Sequence, residues 1–499
     1  NTFWSLVPPI VAIGLALLTK ETYSSLFIGI VVGALLATDF SPIGALDTII
    51  NDGLTAAIAD NAGIFLFLVI LGVMVALVNA TGGSAAFGRW AASHIHSKAG
   101  ALLATFALGV LIFIDDYFNC LTVGSVMTPV TDSQRISRVK LAYLIDATAA
   151  PICMIAPISS WAAAVSGVAA KLNTGVSGIQ LFIEAIPYNF YSLLTIVFVI
   201  TMVVLGVDYG PMAAAELKAA QTGDLGALSE EQEEGSSRAN MWDMLIPIFL
   251  LIIFCVIGLI YVGGFWDPET NAGDFIAAFG DTDAFVGLPW GALIALVLSI
   301  IYLCARRVIT FKGAMGCMTK GFNAMVPAIL ILTFAVSLKS MTGLLGAADY
   351  VEGLMKQASE GLFMLLPAII FVVACLLAFA TGTSWGTFGI LIPIVLPIFN
   401  AAPDLQIMGI SACLAGAVCG DHCSPISDTT IMASAGANCN HIDHVSTQIP
   451  YAVTVAAICF VNYILAAFIR NVVISLAIGV VMVIGTLLVI RSVQSRKTA

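Results

Sequence analysis

The stretch Phe113-Ile-Asp-Asp-Tyr-Phe-Asn119 places two carboxylates and an amide inside a long apolar segment, and Ala156-Pro-Ile-Ser-Ser160 follows about 40 residues later. A second pair, Phe379-Ala-Thr-Gly-Thr-Ser-Trp385 and Ser424-Pro-Ile-Ser-Asp428, has similar spacing in the other half of the chain. Irregular backbone at membrane depth persists only where protein, ions or a water-filled cavity satisfies its unpaired N–H and C=O groups. Two such pairs in matching positions predict one central binding site between two repeats.

The composition is typical of a polytopic membrane protein. Of 499 residues, 60% are hydrophobic and 10% are charged, and the mean hydropathy is +1.03. The net charge is −11, and there is no basic stripe, so we expect the lipid bilayer and not nucleic acid as a partner. No nucleophile–base arrangement or phosphate-binding loop is present, which favours a secondary transporter over an enzyme or an ATP-driven pump.

A membrane helix needs roughly 20 apolar residues to cross a hydrocarbon core of about 30 Å. Two longer apolar stretches, 99–130 and 361–400, have polar middles, and we predict that each is a re-entrant hairpin. The pattern predicts about 11 spans, at 3–19, 23–39, 62–80, 141–171, 179–206, 242–264, 285–305, 323–341, 407–436, 449–469 and 472–490.

The fold class predicted is an all-α polytopic membrane protein made of two inverted repeats, each with a re-entrant hairpin and a broken helix. Most Lys and Arg residues fall on one side of the predicted spans, which puts the N-terminus outside and the C-terminus in the cytoplasm. The predicted domains are a first repeat at 1–207 (hairpin 99–130, broken helix 141–171), an acidic cytoplasmic linker at 208–241, a second repeat at 242–470 (hairpin 361–400, broken helix 407–436), and an extra span with a tail at 471–499.

Five acids lie at predicted membrane depth: Asp115 and Asp116 in the first hairpin, Asp146 in the first broken span, and Asp421 and Asp428 on either side of the second break. An ionised carboxylate in the bilayer costs roughly 3 kcal/mol, so each is a functional candidate. The alternative is a structural acid paired to backbone or to a loop base, above all for Asp146. No Lys or Arg lies inside these segments, so cations or protons are expected to balance the charge.

Side-chain oxygens surround these acids in the sequence. A hard cation such as Na⁺ prefers oxygen ligands, and carboxylates with hydroxyls and unwound carbonyls make a suitable shell. The alternative is that Ser and Thr side chains bond back to their own helix carbonyls. The predicted cation or substrate ligands are four of the acids, Asp115, Asp116, Asp421 and Asp428, together with Asn119, Ser159, Ser160, Thr381, Thr383, Ser384, Thr387, Ser424, Ser427 and Thr429, with Na⁺ at a subset of these.

Histidines offer a route for protons. His422 is next to Asp421, and since imidazole exchanges protons near neutral pH, His422 and Asp146 are the candidates for a proton relay. A satisfied polar residue at the break is the alternative for His422. His441 and His444 are expected to be solvated loop residues near the cytoplasmic surface. No cofactor is expected, apart from Na⁺ and H⁺ as transported or coupling ions.

The run Cys419-Gly-Asp-His-Cys-Ser-Pro-Ile-Ser-Asp-Thr-Thr430, with Gln448-Ile-Pro-Tyr451 further on, resembles the NhaC-type Na⁺/H⁺ antiporter family of the ion-transporter superfamily. The stretches Asp115-Asp-Tyr-Phe-Asn119 and Thr381-Gly-Thr-Ser-Trp-Gly-Thr387 resemble it as well. The resemblance implies a homodimer in the prokaryotic inner membrane, with a scaffold and a mobile transport domain that moves like an elevator. Carried over by motif, the site residues would be Asp421, Ser424, Ser427, Asp428 and Thr429.

The resemblance leaves the substrate open, because the family includes Na⁺/H⁺ exchangers, malate/lactate exchangers and proposed amino-acid importers. We expect a Na⁺/H⁺ antiporter in which Na⁺ and protons compete for shared carboxylates. A Na⁺- or H⁺-coupled transporter of an amino acid or small organic acid is the alternative, and a channel is a third possibility. The lack of intramembrane bases weighs against malate.

Overall fold

The computed structural model describes residues 2–19, 21–113, 116–156, 159, 161–162, 165, 178–228, 236–347, 349–350, 364–399 and 403–498. Within these ranges the regular elements are helices, apart from one isolated bridge between Ala227 and Cys439. The α-helices are α1 (Val7–Thr19), α2 (Thr22–Ala37), α3 (Pro42–Thr48), α4 (Ala56–Asp60), α5 (Ala62–Thr81), α6 (Gly83–His94), α7 (Lys98–Leu111), α8 (Asp116–Ser133), α9 (Arg138–Thr148), α10 (Ala150–Cys153), α11 (Gly178–Ala185), α12 (Phe190–Leu205), α13 (Gly210–Thr222), α14 (Trp242–Val262), α15 (Phe275–Gly280), α16 (Ala284–Ala305), α17 (Phe311–Leu344), α18 (Leu366–Thr381), α19 (Ser384–Ile398), α20 (Pro403–Cys423), α21 (Asp428–Gly436), α22 (His441–Ile469) and α23 (Val472–Thr498).

Six helical segments of the described chain are long and apolar enough to cross a membrane. They contain α5, α12, α14, α16, α22 and α23, and the bent pair of α20 and α21 makes a seventh if it is one span. The predicted all-α membrane class is thereby confirmed. The eleven crossings and the inverted relation of the two halves stay predictions.

Helices flank the middle of each stretch predicted as a hairpin. In the first, α7 ends at Leu111 and α8 begins at Asp116, and the predicted ligand Asp115 lies outside the described residues. In the second, α18 ends at Thr381 and is capped by Gly382, whose φ of 65° is left-handed and favours glycine. A Cβ there would lie 2.5 Å from the carbonyl oxygen of Ile426, so the turn of the second hairpin lies directly against the second break.

The two breaks interrupt helices where the sequence carries proline and hydroxyl residues. In the second, α20 ends at Cys423 and α21 begins at Asp428, with a bend of 49° between them. In the first, α9 gives way to α10 at Ala149, whose backbone is not helical. Of the predicted ligands there, Ser159 is described, whereas Ser160 lies outside the described residues.

Close helix crossing brings the two halves of the chain together. A Cβ on Gly124 of α8 would lie 2.4 Å from the carbonyl oxygen of Gly436 of α21, and one on Gly436 would lie 2.4 Å from that of Cys120. Small residues allow such backbone contact between membrane helices. The second arm of the first hairpin therefore packs on the helix that follows the second break.

The predicted linker at 208–241 contains a packed helix. In α13, Met212 and Ala219 are fully buried, and the Glu216 carboxylate accepts hydrogen bonds from the Ser137 N–H (2.8 Å) and hydroxyl (2.5 Å) at the start of α9. This part of the predicted linker is therefore packed against the protein, because the apolar face of α13 covers α9 and α22. The acidic run 230–234 lies outside the described residues.

Candidate functional site

Asp421 and Asp428 lie on either side of the second break, and each is held by a hydroxyl from a different hairpin. The Ser384 hydroxyl, at the start of α19, donates to Asp421 Oδ2 at 2.6 Å. The Tyr117 hydroxyl, in the first turn of α8, donates to Asp428 Oδ2 at 3.0 Å. The Oδ1 atoms of both acids are buried and have no hydrogen-bond partner in the described part of the chain. Two carboxylate oxygens with free lone pairs therefore remain at one break.

The hydroxyls of the break itself divide into two kinds. Ser427 and Thr429 contact each other at 2.9 Å beside Asp428, and both are buried. The Ser424 hydroxyl donates to the Phe379 carbonyl at 2.8 Å and so ties the break to the first arm of the second hairpin. Ser427 and Thr429 thus lie beside Asp428, whereas Ser424 bonds the break to the second hairpin.

Asn119 joins the first hairpin to the first broken helix. Its amide nitrogen lies 2.6 Å from the Gly109 carbonyl, 2.9 Å from that of Ile112 and 3.1 Å from that of Thr148. The last carbonyls of α7 and α9 lack helical partners, and this side chain satisfies them. Its Oδ1 has no partner among the described residues, and its role as a ligand stays a prediction.

Other predicted hydroxyl ligands are engaged in local backbone contacts. The Ser159 hydroxyl donates to the Cys153 carbonyl at 2.8 Å and accepts from the Ala162 N–H. The Thr381 and Thr387 hydroxyls donate to carbonyls one turn earlier, and the Thr383 oxygen accepts from the Gly386 N–H. These contacts match the structural alternative for hydroxyls in membrane helices. Asp116, also predicted as a ligand, is buried at the start of α8 and accepts from the Tyr117 N–H.

Asp146 lies in a second buried cluster. Its Oδ2 accepts from the Gln448 amide at 2.8 Å and lies 3.3 Å from His444 Nε2 and 4.0 Å from His422 Nε2. His422 Nδ1 in turn lies 2.6 Å from the Tyr191 hydroxyl. The structure therefore brings together the two predicted relay residues, Asp146 and His422, and adds three side chains that the sequence analysis did not select.

The prediction that His441 and His444 are solvated is wrong. His444 is completely buried, and His441 is 6% exposed with its Nε2 2.7 Å from the Pro425 carbonyl. His444 and Gln448 are four residues apart, so they lie on one helix face, and this spacing is the signal that would have revealed them. Their partner Asp146 is about 300 residues away in the sequence.

Three basic side chains are paired with acids away from these clusters. Arg138 pairs with Asp132, and Lys140 with Asp208, and both basic residues lie at the start of α9. Arg306 pairs with the fully buried Asp243. None of these three is paired with Asp146, Asp421 or Asp428 in the described part of the chain.

Aromatic rings contact one another next to Ser384, the residue that donates to Asp421. Trp161 contacts Trp385 edge to face at 6.1 Å and Phe388 at 6.0 Å. Trp385 follows Ser384 in the chain and is 44% exposed. The Trp161 indole N–H is buried without a partner in the described residues. Such rings can bind a cation over their faces.

Comparison with known proteins gives a family match over most of the chain. The Na⁺/H⁺ antiporter family matches residues 152–468. An uncharacterized protein of Haemophilus influenzae is 37% identical over 94% of this chain and 91% of its own length. The arginine/ornithine antiporter ArcD of Halobacterium salinarum is 26% identical over 47% of this chain and 44% of its own length. The malate-2H(+)/Na(+)-lactate antiporter of Bacillus subtilis is 26% identical over 39% of this chain and 42% of its own length.

Proposed function

The chain belongs to the Na⁺/H⁺ antiporter family, and from this premise we propose that it exchanges Na⁺ for protons at Asp421 and Asp428. Family membership makes it a secondary transporter of the membrane and not an enzyme. The observation that carries the proposal is the pair of carboxylates at one break, each with a buried, unpaired oxygen. Na⁺ prefers such oxygen ligands.

The proposed ligands are side-chain oxygens at the second break. Asp421 Oδ1 and Asp428 Oδ1 would supply charge, and the Ser427 and Thr429 hydroxyls would supply neutral oxygens. The Ser384 and Tyr117 hydroxyls occupy the other carboxylate oxygens and orient them. Two buried carboxylates without a basic partner favour uptake of positive charge, which Na⁺ or a proton can provide. Loading of one ion would thereby displace the other.

An elevator-like movement fits the packing. The first hairpin contacts the second broken helix at Gly124 and Gly436, and the second hairpin contacts the break at Gly382. Both hairpins and the break would then move as one body that carries the ion. The homodimer, the inner-membrane location and the orientation of the termini stay predictions with this proposal.

The test is transport by purified protein in liposomes that contain a trapped pH dye. A Na⁺ gradient alone is expected to move protons, and Asp428→Asn is expected to abolish that movement because it removes the charge that both ions neutralise. The control is Asp224→Asn, which changes an exposed acid in the predicted linker at 208–241 and should behave as wild type. Exchange retained in Asp428→Asn would contradict the assignment.

A coupled organic-solute carrier is the second candidate, favoured by the rings of Trp161, Trp385 and Phe388. An ammonium group can lie over a tryptophan face while a carboxylate binds its charge. One similar protein is described as an arginine/ornithine antiporter and another as a malate/lactate antiporter. The same liposomes, tested with pooled amino acids and then dicarboxylates, distinguish the candidates. Proton movement that requires one organic pool would favour this second function.

A further inference from the structure

We propose that Asp146 and His444 form a proton-binding site distinct from the cation site at Asp421 and Asp428, an inference that rests on the proposed exchange. The two side chains come from α9 and α22, and His444 Nε2 lies 3.3 Å from Asp146 Oδ2. They form a direct acid–base contact in the protein interior.

Each member of the pair has a polar atom that can hold a proton. Asp146 Oδ1 and His444 Nδ1 are both buried and have no hydrogen-bond partner among the residues that the structure describes. Asp146 is 1% exposed and His444 is completely buried. A carboxylate accepts protons on either oxygen and a neutral imidazole on one nitrogen, so the pair offers more acceptors than its neighbours use.

A bound proton would balance the negative charge of this pair. The basic residues of the same helix, Arg138 and Lys140, are paired with Asp132 and Asp208. A carboxylate in a low-dielectric interior is disfavoured when no positive charge balances it. One proton shared by Asp146 and His444 would make the pair neutral overall.

Other titratable groups surround the pair, and they set what its proton responds to. From helix α20 come His422, whose Nε2 lies 4.0 Å from Asp146 Oδ2, and Asp421, which interacts with Asp146 electrostatically. Further titratable groups on the elements packed here include Tyr143 on α9, His441 and Tyr451 on α22, Tyr191 on α12 and Asp428 on α21.

Gln448 connects the pair to the cation site. Its amide nitrogen donates to Asp146 Oδ2 at 2.8 Å and also contacts the His422 carbonyl. His422 follows Asp421 directly in the chain. The last turn of α20 therefore carries the proposed cation ligand Asp421 and, at the next position, His422, which lies near Asp146 and His444. A cation at Asp421 and a proton at Asp146 would then disfavour each other across this turn. Exchange would then use this proton site in addition to the carboxylates at Asp421 and Asp428.

The test separates Na⁺ movement from proton movement in the full-length protein in liposomes. One assay follows Na⁺-driven proton movement with a trapped pH dye, and the other follows counterflow of radiolabelled Na⁺ at several fixed pH values. Asp146→Asn and His444→Gln are each expected to slow proton movement about 100-fold. Both should keep Na⁺ counterflow, but with a weaker dependence on pH than in the wild type. Asp428→Asn should lose both activities, and the exposed-histidine control His94→Gln should lose neither.

Each other outcome overturns a specific statement. Wild-type proton movement in Asp146→Asn or His444→Gln, or loss of Na⁺ counterflow in folded protein of both variants, would overturn the separate proton site. If Asp146→Asn does not fold, the pH profile of Na⁺ counterflow in His444→Gln decides, and an unchanged profile would overturn the proposal. A wild-type protein that exchanges Na⁺ without ever moving protons would instead refute the proposed function.

Discussion

Replacing Gly124 with alanine tests whether the crossing of α8 and α21 positions the cation site. The new Cβ would lie 2.4 Å from the Gly436 carbonyl oxygen, whereas ordinary contacts begin near 3.4 Å. The helices must therefore separate by about 1 Å, a displacement that costs about 100-fold in rate when it misplaces reacting groups. The Tyr117 hydroxyl, 3.0 Å from Asp428 Oδ2, would move out of hydrogen-bond range.

The stability change can be estimated from the same geometry. Overpacking of a tight contact costs about 1–3 kcal/mol, and the gain in helix propensity from glycine to alanine offsets up to about 1 kcal/mol of it. Gly485→Ala is the matched control, since its Cβ would meet nothing within 4 Å. Na⁺-driven proton movement and the thermal unfolding midpoint in detergent are measured for both. Equal behaviour of the two variants would refute the argument that this crossing positions Tyr117.

Two further changes test buried polar contacts. Arg306→Gln is expected to destabilise the protein by about 3 kcal/mol, because the fully buried Asp243 loses its cationic partner and keeps the neutral donors Tyr302 and Asn240. Adding Asp243→Asn should restore part of the loss in thermal unfolding. A double variant no more stable than the single one would contradict this account. Asn119→Ala is expected to cost about 2–3 kcal/mol, because the carbonyls of Gly109, Ile112 and Thr148 lose their donor. The control Asn61→Ala removes one local hydrogen bond, to the Ala57 carbonyl, and should cost less stability. Equal losses of stability would contradict the statement that Asn119 joins the first hairpin to the first broken helix.

The second break and the acids beside it could be predicted from the sequence. Polar residues with proline inside an apolar segment mark a broken helix, and Asp421 and Asp428 are part of that local pattern. The ligand role of individual hydroxyls could not be predicted in the same way. Ser384 and Thr387 look alike in the sequence, yet Ser384 contacts a carboxylate and Thr387 contacts its own helix.

The sequence by itself determined the membrane class, the positions of the second hairpin and second break, and the acids beside them, because crossing a bilayer is a property of about 20 consecutive residues. Only the tertiary structure decided which side chains meet these acids. Tyr117 is 311 residues from Asp428, and His444 is 298 residues from Asp146. Such contacts depend on the register at which helices cross, and backbone contact at residues such as Gly124 and Gly436 sets that register.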